Sequence, residues 1–234
     1  MNVLPLELSF FVERLRQKEP VSYVRYGDGE FLAILGTKGS NCDGAQYFDD
    51  LAEALRETLE SPRDYMHGIG PKILNRKNGL TQSSISWIEK HCPQIEWYDS
   101  EVFLTAMLAG QFYPLTNALR ERKVLLVGNA SLRQAPIPFD EFVEIPRLNA
   151  WLNYAATLDR IQSKMHSVNT VLFCGGMMAK VCLYDLFPTW GKTHFMLDCG
   201  SIFDQTVGVL SRSYSRRLKP EERETLNRVN FNLK

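Results

Sequence analysis

Short runs of β-branched, leucine and aromatic residues alternate along the chain with longer stretches in which apolar positions recur every three or four residues. That alternation predicts an α/β fold, Rossmann-like, with a mostly parallel sheet and helices on both faces. The opening MNVLPLELSFFVERLRQKEP has its apolar run broken by Glu7, Glu13 and Arg14, which predicts an amphipathic helix rather than a secretion signal. VSYVRY (21–26) predicts the first strand, followed by a GDGE turn and the apolar FLAIL. Leu51, Leu55 and Leu59 share one face of a helix predicted over 47–60. A short strand is predicted over 64–69 and helices over 83–91 and 101–110, while the sequence between those helices fits neither period.

From Lys123 the pattern sharpens into KVLLVGNAS, FVEIP, a helix over about 149–166, TVLFCGG, a helix over 177–187, and HFMLDCGS. These four strands carry polar or glycine residues at their carboxyl ends. In open α/β sheets the ligand crevice lies outside those ends, so Gly128, Asn129, Gly175, Gly176, Asp198 and Ser201 are expected to converge on one site. There is no internal repeat or linker, so residues 1–234 read as a single domain ending in a tail from about 211. The tail holds seven Lys/Arg and three Glu, without an apolar period strong enough to predict a buried helix.

Composition narrows the function classes. The 234 residues are 44% hydrophobic and 11% aromatic, with 27 basic and 27 acidic side chains. A chain of this length buries roughly 70% or more of its unfolded surface and needs no disulfide or structural metal to hold it. Zero net charge provides no global field toward nucleic acid or anionic lipid. No run approaches the length of a membrane span. Five cysteines, at 42, 92, 174, 182 and 199, form neither a CxxC pair nor a metal-ligand spacing, and their odd count suits a reducing cytoplasm.

YGDGEF (26–31) is the most unusual segment. Asp28 and Glu30 stand two residues apart beyond a strand, beside Arg25 and between Gly27 and Gly29. Paired acids suit Mg²⁺ or Mn²⁺, with substrate phosphate completing the coordination; the alternative is an ordinary turn with solvated acids. In FCGGMMAK, the amides of Gly175, Gly176 and Met177 at a helix start offer an anion site, although the spacing is neither a dinucleotide fingerprint nor a P-loop. That spacing also argues against an NAD- or S-adenosylmethionine-dependent enzyme. Asn129 in NASLR supplies a further polar contact, or simply a cap. In LDCGSIFD, Asp198 and Asp204 are the candidate general bases, the bland alternative being a helix cap. Trp151 is the tryptophan placed to stack on a ring.

In this order, these motifs resemble the GT-D type glycosyltransferase family, first catalogued as a domain of unknown function. VRYGDGEF is similar to its R-[FY]-G-D-G-E motif, and VLLVGNASLR, VEIPRLNAWLNY and LFCGGMMAKVCLYDLFPTWGKTHFMLDCGSIFD follow its later segments, over about residues 21–206. The resemblance implies a nucleotide-sugar transferase, with UDP-sugar the expected donor, hexosyl transfer to a hydroxyl of a glycan or other acceptor, and Mn²⁺ or Mg²⁺ held through Asp28 and Glu30. It places Arg25 and Gly27 in the same motif, Asn149 and Ala150 on the family's Asn-Ala, and Gly176 on its glycine-led turn. Ser201 stands where many members carry histidine, and Phe203, Asp204 and Gln205 replace the acidic and aromatic residues that follow. Two other readings stay open: a nucleotide-sugar-binding protein without transfer activity, and a metal-dependent nucleotide-sugar hydrolase.

Overall fold

A computed structural model describes residues 1–70, 74, 79–210 and 212–233. In the first half, β1 (Val3–Leu4), α1 (Leu8–Gln17), β2 (Ser22–Tyr26), α2 (Asp28–Ile34), α3 (Asp49–Glu60), β3 (Met66–Ile69), α4 (Gly79–His91), β4 (Trp97–Asp99), α5 (Val102–Leu108) and α6 (Tyr113–Leu119) follow one another. The second half holds β5 (Val124–Gly128), β6 (Glu141–Glu144), α7 (Tyr154–Lys164), β7 (Thr170–Phe173), α8 (Met178–Trp190), β8 (Phe195–Asp198), α9 (Ser213–Arg217) and α10 (Pro220–Phe231). Among the described residues no helix is long and apolar enough to cross a membrane.

The strands form one sheet in the order β1-β4-β3-β2-β8-β7-β5-β6, and every described pairing is parallel. The expected α/β sheet with two covered faces is therefore present. Successive residues of a strand point to opposite faces, and a sheet covered on both sides needs apolar residues at every position. Val24, Tyr26, Leu125, Val127, Val171, Phe173 and Met196 pack with α2, α3, α4, α7 and α8. Tyr23, Val124, Leu126, Leu172, Phe195 and Leu197 pack on the other face with α1, α5, α6 and α10.

The C-terminal tail departs from expectation. Apart from Ser211 and Lys234, which lie outside the described residues, it carries α9 and α10, and α10 docks by its last turn. Phe231 is 0% exposed, its ring 6.2 Å from that of Phe112. Asn230 accepts the Phe112 N–H at 2.9 Å and donates to the Met107 carbonyl at 2.8 Å. A helix held by one end buries only Asn230 and Phe231, so no apolar stripe marks it in the sequence. The short β1 and β4, of two and three residues, are likewise too brief to show a period.

If this anchor is as tight as its packing, Phe231→Ala lowers stability by about 3–5 kcal/mol, the usual cost of emptying a buried phenylalanine site. Urea denaturation followed by tryptophan fluorescence measures it, and a loss under about 1 kcal/mol would mean a loosely docked tail.

Candidate functional site

The connections leaving β2 and β8 run to opposite sides of the sheet, so these neighbours flank the topological switch point, where α/β folds open their crevice. Their register holds at Ser22↔Met196 and Tyr23↔Leu197 and goes no further. At the next position the side chain of Asp198, rather than a backbone carbonyl, accepts the Arg25 N–H at 3.2 Å. The strands part there, and the carboxyl ends of β2, β7 and β8 surround a cavity of about 690 Å³.

Strand alternation turns Asp198, one residue past Leu197, toward the face covered by α2 and α8. There it meets Lys180. The Lys180 Nζ donates to Asp198 Oδ2 at 2.9 Å, to Glu30 Oε1 at 2.8 Å and to the Gly176 carbonyl at 3.0 Å. All three ammonium protons are used. Glu30 Oε2 accepts the Gly27 N–H at 2.8 Å, and Asp198 Oδ1 accepts the Gly200 N–H at 3.0 Å. Asp198 is 0% exposed, Lys180 4% and Glu30 8%. Burial pulls Glu30 upward, but the Lys180 charge and hydrogen bond, with the Gly27 N–H, outweigh it and hold the carboxyl below its ordinary range. Burial pulls Lys180 downward, and Asp198 and Glu30 reverse that, so its ammonium titrates above its ordinary range. At Gly176 a φ of +59° puts the backbone in the left-handed region, on the turn whose carbonyl faces Lys180.

Two expectations are corrected here. Asp198 does not line the cavity; it is fully buried, with its carboxylate taken by Lys180 and two backbone amides. Glu30 is not a solvated loop acid, because GDGE is no loop: Gly27 caps α2, and Asp28 and Glu30 are its first and third helical residues. Residues two apart on a helix lie about 200° around its axis from each other, so the two carboxylates diverge. Asp28 and Glu30 in this conformation do not fit a shared Mn²⁺ or Mg²⁺, since Glu30 has both oxygens engaged and a fixed cation against one of them. Among the described residues no group of three or more His, Cys, Asp or Glu is arranged to hold a metal ion.

Gly128, expected at the site, does not line the cavity; a Cβ there would meet the Leu132 side chain at 2.6 Å. The other candidates converge. Arg25, Gly27, Asp28, Glu30, Asn129, Asn149, Ala150, Gly175, Gly176, Met177, Ser201 and Asp204 all line the cavity, as does Trp151. Arg25 Nη1 donates to the Cys199 carbonyl at 3.4 Å, and its Nε, although buried, has no hydrogen-bond partner among the described residues. Gly200, at φ +57°, leaves room for this guanidinium, since a Cβ there would stand 3.0 Å from Arg25 Nη2. Asp204 opens a short 3₁₀ turn (Asp204–Val207). Asn129 Oδ1 accepts the Ser131 N–H at 3.1 Å, and Asn149 Oδ1 accepts the Gln46 N–H at 2.8 Å.

The sequence reading missed Lys180. The basic tail, whose Arg212, Arg216 and Arg217 the sequence suggests as a cover or acceptor-facing rim, does line the cavity. Arg212 forms a strap there, donating to Ser201 Oγ at 3.1 Å and to Cys42 Sγ at 2.8 Å and pairing with Asp43 at 3.3 Å. That strap joins the tail to the loop after α2, which also lines the cavity.

No protein-family profile matches the chain, and no curated protein matches it. Three solved structures do match. One, described as a new glycosyltransferase (DUF1792) from Streptococcus sanguinis, is 19% identical, with a TM-score of 0.67 over 87% of this chain and 83% of that one. Another, described as the highly conserved domain of unknown function 1792 with a distinct glycosyltransferase fold, is 20% identical, with a TM-score of 0.63 over 86% of this chain and 79% of that one. The chain has the fold of these domains. A selenomethionine-substituted structure of domain of unknown function 1792 agrees, at a TM-score of 0.66 and 20% identity. At such identities the likeness shows the fold and transfers no individual residue's role.

Removing Lys180 tests the site's framework. Lys180→Met leaves two buried carboxylates without their cation and is expected to cost about 3–5 kcal/mol in urea denaturation. The pH dependence follows from the two shifts. The contribution of Glu30, held below its ordinary 4.5, is present above that pH and lost as pH falls through the folded pKa. The contribution of Lys180, held above its ordinary 10.5, is complete below that pH and lost as pH rises through the folded pKa. Glu30→Gln is expected to flatten the acid limb of the urea midpoint against pH; an unchanged limb would count against the pairing.

Proposed function

We propose that the chain is a glycosyltransferase that binds a nucleoside-diphosphate sugar, with UDP as the expected nucleotide, in the cavity at the β2/β8 switch point and moves the sugar to an acceptor hydroxyl. The observation that carries this reading is the convergence, on one cavity of about 690 Å³, of the half-buried Arg25, whose Nε has no hydrogen-bond partner among the described residues, the 175–177 turn leading into α8, and the Asp204 carboxylate. The likeness in fold to domains described as glycosyltransferases supports it.

Each group has a distinct task in this reading. Arg25 and the amides of the 175–177 turn bind the diphosphate, the guanidinium through paired hydrogen bonds and the turn through the positive end of the helix. Trp151 gives a ring for the base or sugar to stack on, and Asn129 and Asn149 orient donor hydroxyls. In the transfer, the bond between the anomeric carbon and the phosphate oxygen breaks and its electron pair leaves with the diphosphate. The acceptor oxygen forms the new bond, and its proton passes to Asp204 on the cavity wall. Developing negative charge on the leaving group is met by Arg25 and the helix amides, which are already in place before the reaction.

Arg25→Lys keeps the charge and loses the planar fork, so UDP affinity is expected to fall about tenfold or more. Asp204→Asn is expected to reduce transfer by about 10²–10⁴-fold while leaving UDP affinity within about twofold. Calorimetry with UDP and single-turnover assays over a panel of UDP-sugars measure both. Normal turnover by Asp204→Asn would remove it as the base, and turnover as fast without acceptor as with it would favour the hydrolase.

A further inference from the structure

Between Glu30 and Asp198, the place a cation would take is filled by the chain itself. The Lys180 Nζ stands 2.8 Å from one carboxylate and 2.9 Å from the other, and its third proton goes to the Gly176 carbonyl. These acids come from a helix start and a strand end that are 168 residues apart, and Lys180 brings them together from a third element. A Mg²⁺ or Mn²⁺ ion needs oxygen ligands at about 2.0–2.2 Å, so binding to either of these oxygens would set it against the ammonium with no intervening solvent. Glu30 cannot turn away without giving up the Gly27 N–H, and Asp198 cannot without giving up those of Arg25 and Gly200.

We propose that Lys180 is a resident cation standing in for a divalent ion at the Glu30/Asp198 pair, and that nucleotide binding by this chain is independent of divalent metal. The second half of this proposal rests on the nucleotide-sugar reading above; the first does not. Lys180 is a positioning residue. With every ammonium proton engaged it does not reach a ligand, but it fixes the carbonyl of the 175–177 turn, and hence the direction of the amides that line the cavity.

The test separates the two halves. Mn²⁺ alone, with no nucleotide, is titrated by calorimetry into the wild-type chain, Lys180→Ala, and the double variant Lys180→Ala/Glu30→Gln. The wild type is expected to show no saturable uptake. Lys180→Ala, with two carboxylates facing a vacated cation position, is expected to bind Mn²⁺ at least about tenfold more tightly than the wild type, and the added Glu30→Gln to cancel that gain. Lys180→Ala binding Mn²⁺ no better than the wild type would overturn the stand-in role. Should Lys180→Ala not fold, wild type against Glu30→Gln decides the matter: saturable wild-type uptake that Glu30→Gln abolishes would overturn the proposal, and no saturable uptake by either supports it. In the second arm, UDP is titrated into the wild type in EDTA and again in excess Mn²⁺, with affinities expected to agree within about twofold. UDP binding only with Mn²⁺ would overturn the metal independence. UDP bound under neither condition would remove the nucleotide reading, and the Mn²⁺ titration would still decide Lys180.

Discussion

A single buried ammonium holds the cavity together. Lys180 joins the start of α2, the turn before α8 and the end of β8, the three segments that meet where the sheet opens. Burying a charge in water-free surroundings costs several kcal/mol, and only close partners with saturated hydrogen bonding offset it. Here each oxygen of both carboxylates has a donor, which is the condition under which such a cluster is rigid rather than merely tolerated. The cluster carries one cation and two anions, so it also leaves a negative excess next to the cavity. Arg25 sits beside that excess, and the charge of Asp198 helps keep its guanidinium ionised against the pull of burial.

That arrangement needs the sheet to be covered on both faces. Because β2 and β8 alternate between two apolar layers, the residue after Leu197 must point to the α8 side, and Arg25, between Val24 and Tyr26, to the other. Asp198 and Arg25 are thus neighbours through backbone and field, not through a side-chain ion pair. The guanidinium is left for the cavity while the carboxylate is left for Lys180. A one-residue slip of β8 would exchange these assignments and leave Lys180 facing an apolar side chain.

The strands bordering the site were legible because a doubly covered sheet writes them as unbroken apolar runs, as in VLLVG and TVLF. Most of the candidates chosen from the sequence line the cavity because strand carboxyl ends are where α/β folds place ligands. The chemistry at Asp28 and Glu30 was not. GDGE looks like a turn, and nothing in four residues reveals that the glycine caps a helix and sends the two acids apart. Lys180 did leave a signal. It is the one charged residue between Phe173 and Tyr184, in a helix apolar on nearly every side, and a lysine in such a setting must have an anion to face. What the sequence alone could not show is that the anions are Glu30 and Asp198, since they lie 150 and 18 positions away.

Zero net charge does not mean an uncharged site. The cavity wall gathers Arg25 from β2, Arg147 from the loop before α7, and Arg212, Arg216 and Arg217 from the tail, together with Asp28, Glu30, Asp43, Glu101 and Asp204, so charges of both signs spread along the chain meet at one opening. Screening removes most of the effect of distant surface charges beyond about 8 Å at physiological salt, whereas groups sharing a partly enclosed cavity act on its contents nearly unscreened. The tail brings its arginines there for a mechanical reason. Phe231 and Asn230 anchor α10 against α6 on the far face of the sheet, and Arg212 ties the stretch before α9 to Ser201 and Asp43. Held at both ends, α9 has little choice but to lie along the cavity mouth, and the local field there is a consequence of how the C-terminus packs.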